Sequence, residues 1–459
     1  MSDKPKKLST APYKGVRDFF PEDMAVQRKI FGIWRDAAEK CGYEEYGASV
    51  LEPAELYRTK TSEEIVNEQT YTFTDRGDRE VTLRPEMTPT LARMVAARRR
   101  ELTYPLRWYS IPNLFRYEQP QRGRVREHWQ LNVDIFGVDS INAEIEVISM
   151  ASDITRAYGL KDSDFEIRIN NRKVMNYVTR EVFGLDEVSA RKVARLIDKK
   201  DKLARDAFEI GVREIFGEGQ IIESARREKM QKEADSFLTL LNSKNFEEFT
   251  SNLPQTAEEH EGLREIRDVI AGLEKLGITN TRFDQTLMRG FDYYTGIVFE
   301  IFDLNPENRR SVFGGGRYDD LLALFGNEKV PAVGFGAGDV IARDLMETYG
   351  IISKSENAST EGSAAIVASA DLSLCVVGDA NAAYALDVAQ SLREKGVRVS
   401  VDFSGKKLGD QIKNADKKCI PRIIVIGDEE VKTGKLRMKT LKTGEEVEAT
   451  EDSLPSLIQ

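Results

Sequence analysis

Cysteine is scarce in this 459-residue chain: Cys41, Cys375 and Cys419 are odd in number, far apart and without a C-x-x-C pair. No disulfide framework or zinc ribbon can be drawn from them, and a reducing compartment fits. Histidine is scarcer still, with His128 and His260 alone, which argues against a multi-histidine metal centre or a serine-type triad built on several histidines. No apolar run approaches the roughly 20 residues of a membrane span. The polar, lysine-bearing start from Met1 to Thr10 lacks the apolar core of a signal peptide. The expectation is a cytoplasmic chain with no membrane partner. Positive charge is in deficit too. A formal net charge of −10 removes any argument from bulk basicity for nucleic-acid binding, while leaving room for a local basic surface. Two nucleotide-binding fingerprints are also missing. Gly334, Gly336 and Gly338 lack the third-glycine spacing of a dinucleotide loop, and there is no G-x-x-x-x-G-K-[ST].

What is present is the composition of a globular protein, 41% hydrophobic and 31% charged, at a length that suggests about three domains. Apolar residues at Val26, Ile30, Ile33, Trp34, Ala37 and Cys41 predict a helix, with Gly42 as its C′ residue. A second helix follows Pro89, through Leu91, Met94 and Val95, and the aromatic-rich stretch from Tyr104 to Tyr117 reads as extended. Trp129, Leu131, Val133 and Ile135 alternate with Gln130, Asn132 and Asp134, so a strand there packs one face and keeps the other polar. Such alternation usually marks a solvated face, but amides and a carboxylate without lysine point to a site. After about Asn171 the chain becomes dense in charge and helix formers, and strand character returns at Ile297 to Phe302. Ser353 to Ser369 reads as a linker. Beyond it, short buried-type strands at Leu374–Gly378, Val397–Asp402 and Arg422–Gly427 alternate with helical patterns, the signature of a small α/β domain.

Four clusters carry chemistry: Thr82-Leu83-Arg84-Pro85-Glu86-Met87-Thr88; Phe115-Arg116-Tyr117-Glu118 with the arginine-rich loop that leads to Asp134; Arg289-Gly290-Phe291-Asp292-Tyr293-Tyr294-Thr295-Gly296; and Gly314-Gly315-Gly316-Arg317-Tyr318-Asp319. They supply arginines, carboxylates and tyrosines without an evident nucleophile–base pair. That inventory suits attack by an already ionised carboxylate on a phosphate. Such a step needs guanidinium groups for the developing charge and in-line geometry rather than a general base. The plainer readings are a solvated arginine loop and a triple glycine in a tight turn.

FRYEQPQRGRVREHWQ, ending at Gln130, resembles motif 2 of the class II aminoacyl-tRNA synthetases, and MRGFDYYTGIVFE, from Met288 to Glu300, resembles the signature peptide of the histidyl-tRNA synthetase family. GGGRYDDL, from Gly314 to Leu321, is similar to that family's second signature. YKGVRDFFPED, LRPEMTPTLAR and IIVIGDEEV also match, so the likeness covers essentially the whole chain and is weakest in the helical stretch. The resemblance implies a mixed α/β (α+β) fold, with an antiparallel catalytic sheet and flanking helices. Residues 1–170 and 287–352 would form the catalytic domain around a mainly helical insertion at 171–286. A linker at 353–371 would lead to an anticodon-binding α/β domain at 372–459.

The resemblance also implies roles. Arg116 would hold the α-phosphate and Glu118 the adenine amino group; Arg116 and Arg289 would be the catalytic cations. Glu86, Thr88 and Gln130 would bind the α-amino group of L-histidine, with Met87 in the same pocket. Asp134, Tyr293 and Tyr294 would enclose the imidazole, and Tyr318 would close over it. A site that hydrogen-bonds a polar side chain discriminates strongly without editing. Arg124 and His128 would join the ATP site, Mg²⁺ would accompany ATP, and Gln121 and Arg122 would meet the tRNA(His) acceptor end. The partners implied are ATP, L-histidine, tRNA(His) and a second copy in a homodimer.

Three positions depart from the family pattern. Ser49 stands where motif 1 has proline, His128 where a phenylalanine stacks on adenine, and Ile341 where motif 3 has its γ-phosphate arginine. Arg343 is no substitute for Ile341, because two residues along the helix expected from Asp339 to Glu347 is a rotation of about 200°. The loop arginines Arg122, Arg124 and Arg126 are the expected source of that charge. Two alternatives stay in view: a regulatory paralogue serving ATP phosphoribosyltransferase, a class that lacks the anticodon-binding domain and erodes the RGxDYYTG peptide kept here, and a tRNA-sensing homologue, which rests only on the Ile341 departure.

Overall fold

The computed structural model describes residues 8–58, 69–119, 123–200, 203–217, 224–288, 293–308, 311–326, 328–352 and 368–458. Arg289, Gln121, Arg122 and residues 353–367 of the expected linker lie outside these. The chain divides into two compact units. Val26–Ile351 with the residues up to Asp18 makes the first, and Ile352–Gln459 with Phe19–Ala25 makes the second.

The helical spacing near the start forms the helix Pro21–Lys40, which buries Ile30, Trp34 and Ala38. Gly42 follows it at φ +76°, a left-handed conformation that costs a residue without Cβ little. The strands of the first unit are β1 (Glu44–Glu45), β2 (Leu51–Pro53), β3 (Tyr71–Thr74), β4 (Glu80–Leu83), β5 (Leu106–Ser110), β6 (Asn113–Phe115), β7 (Glu127–Phe136), β8 (Phe165–Asn171), β9 (Thr281–Phe283), β10 (Ile297–Asp303), β11 (Ser311–Arg317) and β12 (Ala332–Gly338). β2, β4 and β3 make a small sheet, and the other nine form one sheet in the order β1-β5-β7-β12-β11-β10-β8-β9, with β6 beside β7. From β5 to β8 all neighbours are antiparallel, whereas β1 and β9 add at the edges in parallel. The helices Thr88–Arg98, Asn142–Ala157 and Asp339–Thr348 accompany this sheet. The first of these has a proline at its start, where a missing N–H costs nothing.

Between β8 and β9 the charged, helix-forming stretch folds into helices that include Glu187–Asp198, Arg205–Gly217, Ser224–Leu241 and Glu261–Lys275. β9 already pairs with β8 ahead of residue 286.

β7 explains the polar alternation. It lies inside the sheet, paired with β5 and β6 on one edge and β12 on the other, and every residue from Leu131 to Phe136 is buried. Its polar face is therefore no solvated edge. Opposite Gln130, Asn132 and Asp134, β12 presents Gly338, Gly336 and Gly334 in register. The triple glycine is likewise not a turn: Gly314–Gly316 run inside β11, and a Cβ on Gly315 would lie 1.9 Å from the Gly334 carbonyl oxygen.

In the second unit β13 (Leu372–Val376), β14 (Val399–Asp402) and β15 (Arg422–Ile426) are parallel. β16 (Leu436–Thr440) and β17 (Glu446–Ala449) extend the sheet antiparallel, in the order β14-β13-β15-β16-β17. The helices Ala382–Glu394 and Leu408–Lys417 are the crossovers that parallel strands require. Leu374, Val388, Leu392, Ile424 and Leu436 share its core.

Candidate active site

A cleft opens over the polar face of β7. Gln130, Asn132 and Asp134 line its floor, Glu86 and Thr88 reach it from the start of the Thr88–Arg98 helix, and Arg116 lies on it just beyond β6. Tyr293, Tyr294 and Tyr318 close it from the segment before β10 and the residue after β11. Seven of the residues expected to bind histidine are thus brought together with Arg116, from positions more than 200 apart in sequence.

Asp134 is a buried acceptor in this cleft. It is 3% exposed, and burial pushes its carboxyl up to about 7 while a hydrogen bond donated by the Tyr318 hydroxyl partly offsets that shift. Burial, and then the Asp134 charge, raise the Tyr318 phenol well above its ordinary range, so it remains a donor. Tyr318 also packs edge-on against Tyr293, with centroids 5.7 Å apart, and Tyr293 lies 4.9 Å from Tyr294. The Tyr293 hydroxyl donates to Glu86 Oε2 at 3.4 Å. The floor therefore ends in an acceptor that changes charge near neutrality, walled by aromatic rings.

The glycines of β12 make this possible. A Cβ on Gly334 would sit 2.2 Å from Asp134 Oδ1, and one on Gly336 would sit 2.9 Å from the Gln130 carboxamide carbon. The glycine run that fails as a dinucleotide loop leaves room for the Asp134 and Gln130 side chains. Asn132, Gly314, Gly334, Phe335 and Gly336 also line the cleft and were not in the expected set. Asn132 could have been found, because it shares the polar face of the alternating strand. The glycines carry no signal without knowledge of which strand they face.

Other expected residues lie elsewhere. Met87 is fully buried and is not among the residues lining the cleft; it sits at the N-cap of its helix with Sδ 4.0 Å from Arg84 Nη1. Glu118 and Arg124 do not line the cleft but pair with each other at 3.6 Å, with half of the Arg124 side chain in solvent. His128 is beyond the lining residues on β7; burial, then the charges of Arg116 and Arg17, push its imidazole down to about 3, so it is neutral at physiological pH. Arg126 does not line the cleft either. Its guanidinium stacks 3.9 Å from the Tyr117 ring centroid and donates to the Tyr13 hydroxyl and the Glu118 carbonyl.

The helix expected at Asp339 runs from Asp339 to Thr348. Its first residue, 1% exposed, accepts from Arg17 Nη2 at 2.8 Å, Gln27 Nε2 at 3.0 Å and the Trp129 N–H at 2.9 Å, which ties the N-terminal segment to β7. Arg343 pairs with Glu347 one turn on, at 3.0 Å.

An antiparallel sheet that holds an arginine over one part of a cleft and a buried acceptor in another is the catalytic core of a class II aminoacyl-tRNA synthetase. The histidyl-tRNA synthetase family model matches residues 15–338, and an anticodon-binding domain model matches residues 371–459. The histidine–tRNA ligase of Leptospira biflexa is 39% identical over 440 residues, covering 95% of this chain and 94% of that one. Its counterpart from Halobacterium salinarum is 35% identical over 443 residues, covering 96% of each. The solved histidyl-tRNA synthetase of Nostoc sp. PCC 7120 shares the fold, with a TM-score of 0.77 at 24% identity over 98% of this chain and 99% of that one. The chain belongs to the histidyl-tRNA synthetase family.

Proposed function

We propose that the chain activates L-histidine with ATP, giving histidyl-adenylate and pyrophosphate, and transfers the histidyl group to the 3′ end of tRNA(His). The observation that carries this reading is the buried Asp134–Tyr318 pair in the same cleft as Arg116. An imidazole N–H would donate to the Asp134 carboxylate, and Glu86, Thr88 and Gln130 would hold the α-amino group. The substrate carboxylate then attacks the α-phosphorus; the new O–P bond forms as the bond to the β-phosphate oxygen breaks, and pyrophosphate leaves with the electron pair. The carboxylate is already ionised, so no proton needs to be taken from it. Arg116 and Arg289 would stabilise the charge on the phosphorus oxygens, with Glu118 and His128 on adenine. Among the described residues no group of three or more His, Cys, Asp or Glu side chains could hold a metal. Mg²⁺ would come with ATP, held by its phosphates.

The chain's partners in this reading are a second copy and tRNA(His), with Gln121 and Arg122 near the acceptor end and the second unit on the anticodon. Leu51 and Phe73, about half exposed on the small sheet, suit a homodimer contact. Among the described residues no helix is long and apolar enough to cross a membrane, and the proposed place of work is the cytoplasm. Ile341 favours the tRNA-sensing reading, and shared fold alone the regulatory one. Against them stand the intact tyrosine pocket and the match to an anticodon-binding domain.

Arg289→Ala tests the chemistry. In ATP–pyrophosphate exchange its kcat is expected to fall at least roughly tenfold with little change in the KM for histidine, because the charge acts mainly in the transition state. A change in KM alone would remove Arg289 from the catalytic step. A second pair of variants locates the triphosphate. Arg124→Ala is expected to raise the KM for ATP by about tenfold, the worth of one charge-assisted contact, whereas Arg343→Ala, which loses its pairing with Glu347, leaves it within about twofold. The reverse pattern would place the γ-phosphate over the Asp339–Thr348 helix.

A further inference from the structure

Arg317 precedes Tyr318 and is buried with Glu144, at 5% and 2% side-chain exposure. Every N–H of its guanidinium is used. Nε and Nη2 donate to the two oxygens of Glu144 at 2.6 and 2.7 Å, Nη2 also reaches the Ser140 carbonyl at 3.3 Å, and Nη1 donates to the Val138 carbonyl at 3.2 Å and to Asp319 at 3.3 Å. The stem of Arg317 passes so close to Gly296 that a Cβ there would lie 3.0 Å from its Cδ.

These bonds join segments that meet nowhere in sequence. Val138 and Ser140 follow β7, the strand of Asp134. Asp319 accepts from the Ala332 N–H at the start of β12, and its own N–H donates to the Thr295 hydroxyl, one residue past Tyr294. The Thr295 N–H donates to the Arg317 carbonyl at 2.8 Å, and the Tyr318 N–H to that of Ala332 at 2.8 Å. The ion pair thus ties the residue before Tyr318, and through Asp319 and Thr295 the segment of Tyr294, to the turn that follows the strand carrying the acceptor of Tyr318. Glu144 itself does not line the cleft.

We propose that Glu144 is a positioning residue for histidine recognition, acting through Arg317 to keep the Tyr318 hydroxyl on Asp134 and Tyr294 over the same pocket. This rests on the histidine-activating reading. A small displacement suffices, because a binding group held about 1 Å from its productive place loses most of its effect. Stability alone does not require the pair, since a buried ion pair is often replaceable by apolar residues of similar volume without loss.

The test uses the full chain in ATP–pyrophosphate exchange, with histidine and ATP varied from pH 6 to 9, for Glu144→Gln and for the double variant Glu144→Met with Arg317→Met. The KM for histidine is expected to rise roughly tenfold or more in both, with the KM for ATP within about twofold. The acidic limb of kcat/KM for histidine should move to higher pH, because the Tyr318 hydrogen bond that holds the Asp134 carboxyl down is weakened. Glu144→Asp, which keeps the charge, should recover part of the loss. Should Glu144→Gln fail to fold, the apolar pair carries the test. A lowered melting temperature with an unmoved histidine KM and pH limb overturns the proposal, as does an equal rise in both KM values. Failure of the unaltered chain to exchange with histidine would instead overturn the functional reading on which this one rests.

Discussion

Asp134→Asn should make the protein more stable at pH 8 and nearly inactive toward histidine. The carboxyl titrates at about 7 in the folded chain against an ordinary 3.8. Between those values the folded state holds a proton that the unfolded chain has released, so stability falls as pH rises through that window. At pH 8 the accumulated cost is on the order of 4 kcal/mol, from 1.36 kcal/mol per pKa unit. An amide, which never ionises, avoids it. The melting temperature should rise by several degrees at pH 8 and the gain should shrink toward pH 4. Activation suffers because the amide cannot offer the imidazole N–H a charged acceptor, and kcat/KM for histidine is expected to drop by about 100-fold. The unaltered chain should itself lose kcat/KM as pH falls below 7. Thermal melts at several pH values beside exchange kinetics check both halves; a variant less stable at pH 8 would mean that Asp134 is ionised and paired in the folded state.

Gly334→Ala is expected to be at least as damaging, by a different route. The new methyl group would lie 2.2 Å from Asp134 Oδ1 and 2.4 Å from the Val133 carbonyl oxygen, and the second neighbour is backbone inside a sheet. Overpacking of this kind costs about 1–3 kcal/mol, and moving the acceptor should lower kcat/KM for histidine by roughly 100-fold. Gly338→Ala supplies the control, since a Cβ there meets nothing within 4 Å. Equal losses in the two variants would mean that β12 is sensitive to glycine replacement for reasons of folding rather than of room for Asp134.

Much of the site was legible because its signals are local. The period-two alternation from Trp129 to Ile135 marks β7 and its polar face, and the proline before Leu91 marks the helix that presents Glu86 and Thr88. Local signals say less about where other side chains point. Met87 lies between two cleft residues in sequence, but at a helix start neighbouring side chains point in different directions, and its own went into the core. Arg126 looked mobile because nothing nearby in sequence says that Tyr13 and Tyr117 hold it. What stayed hidden depends on pairing over long separations: the Glu144–Arg317 fork, the three donors that converge on Asp339, and the register that sets Gly334 opposite Asp134. None of these leaves a period or spacing in the chain.

The most direct test of the account is ATP–pyrophosphate exchange by the purified chain, offered each of the twenty amino acids in turn with ATP and Mg²⁺. The account predicts exchange with histidine alone, dependent on Asp134 and stronger at pH 8 than at pH 6. No exchange with histidine, or exchange with another amino acid at a comparable rate, would contradict it.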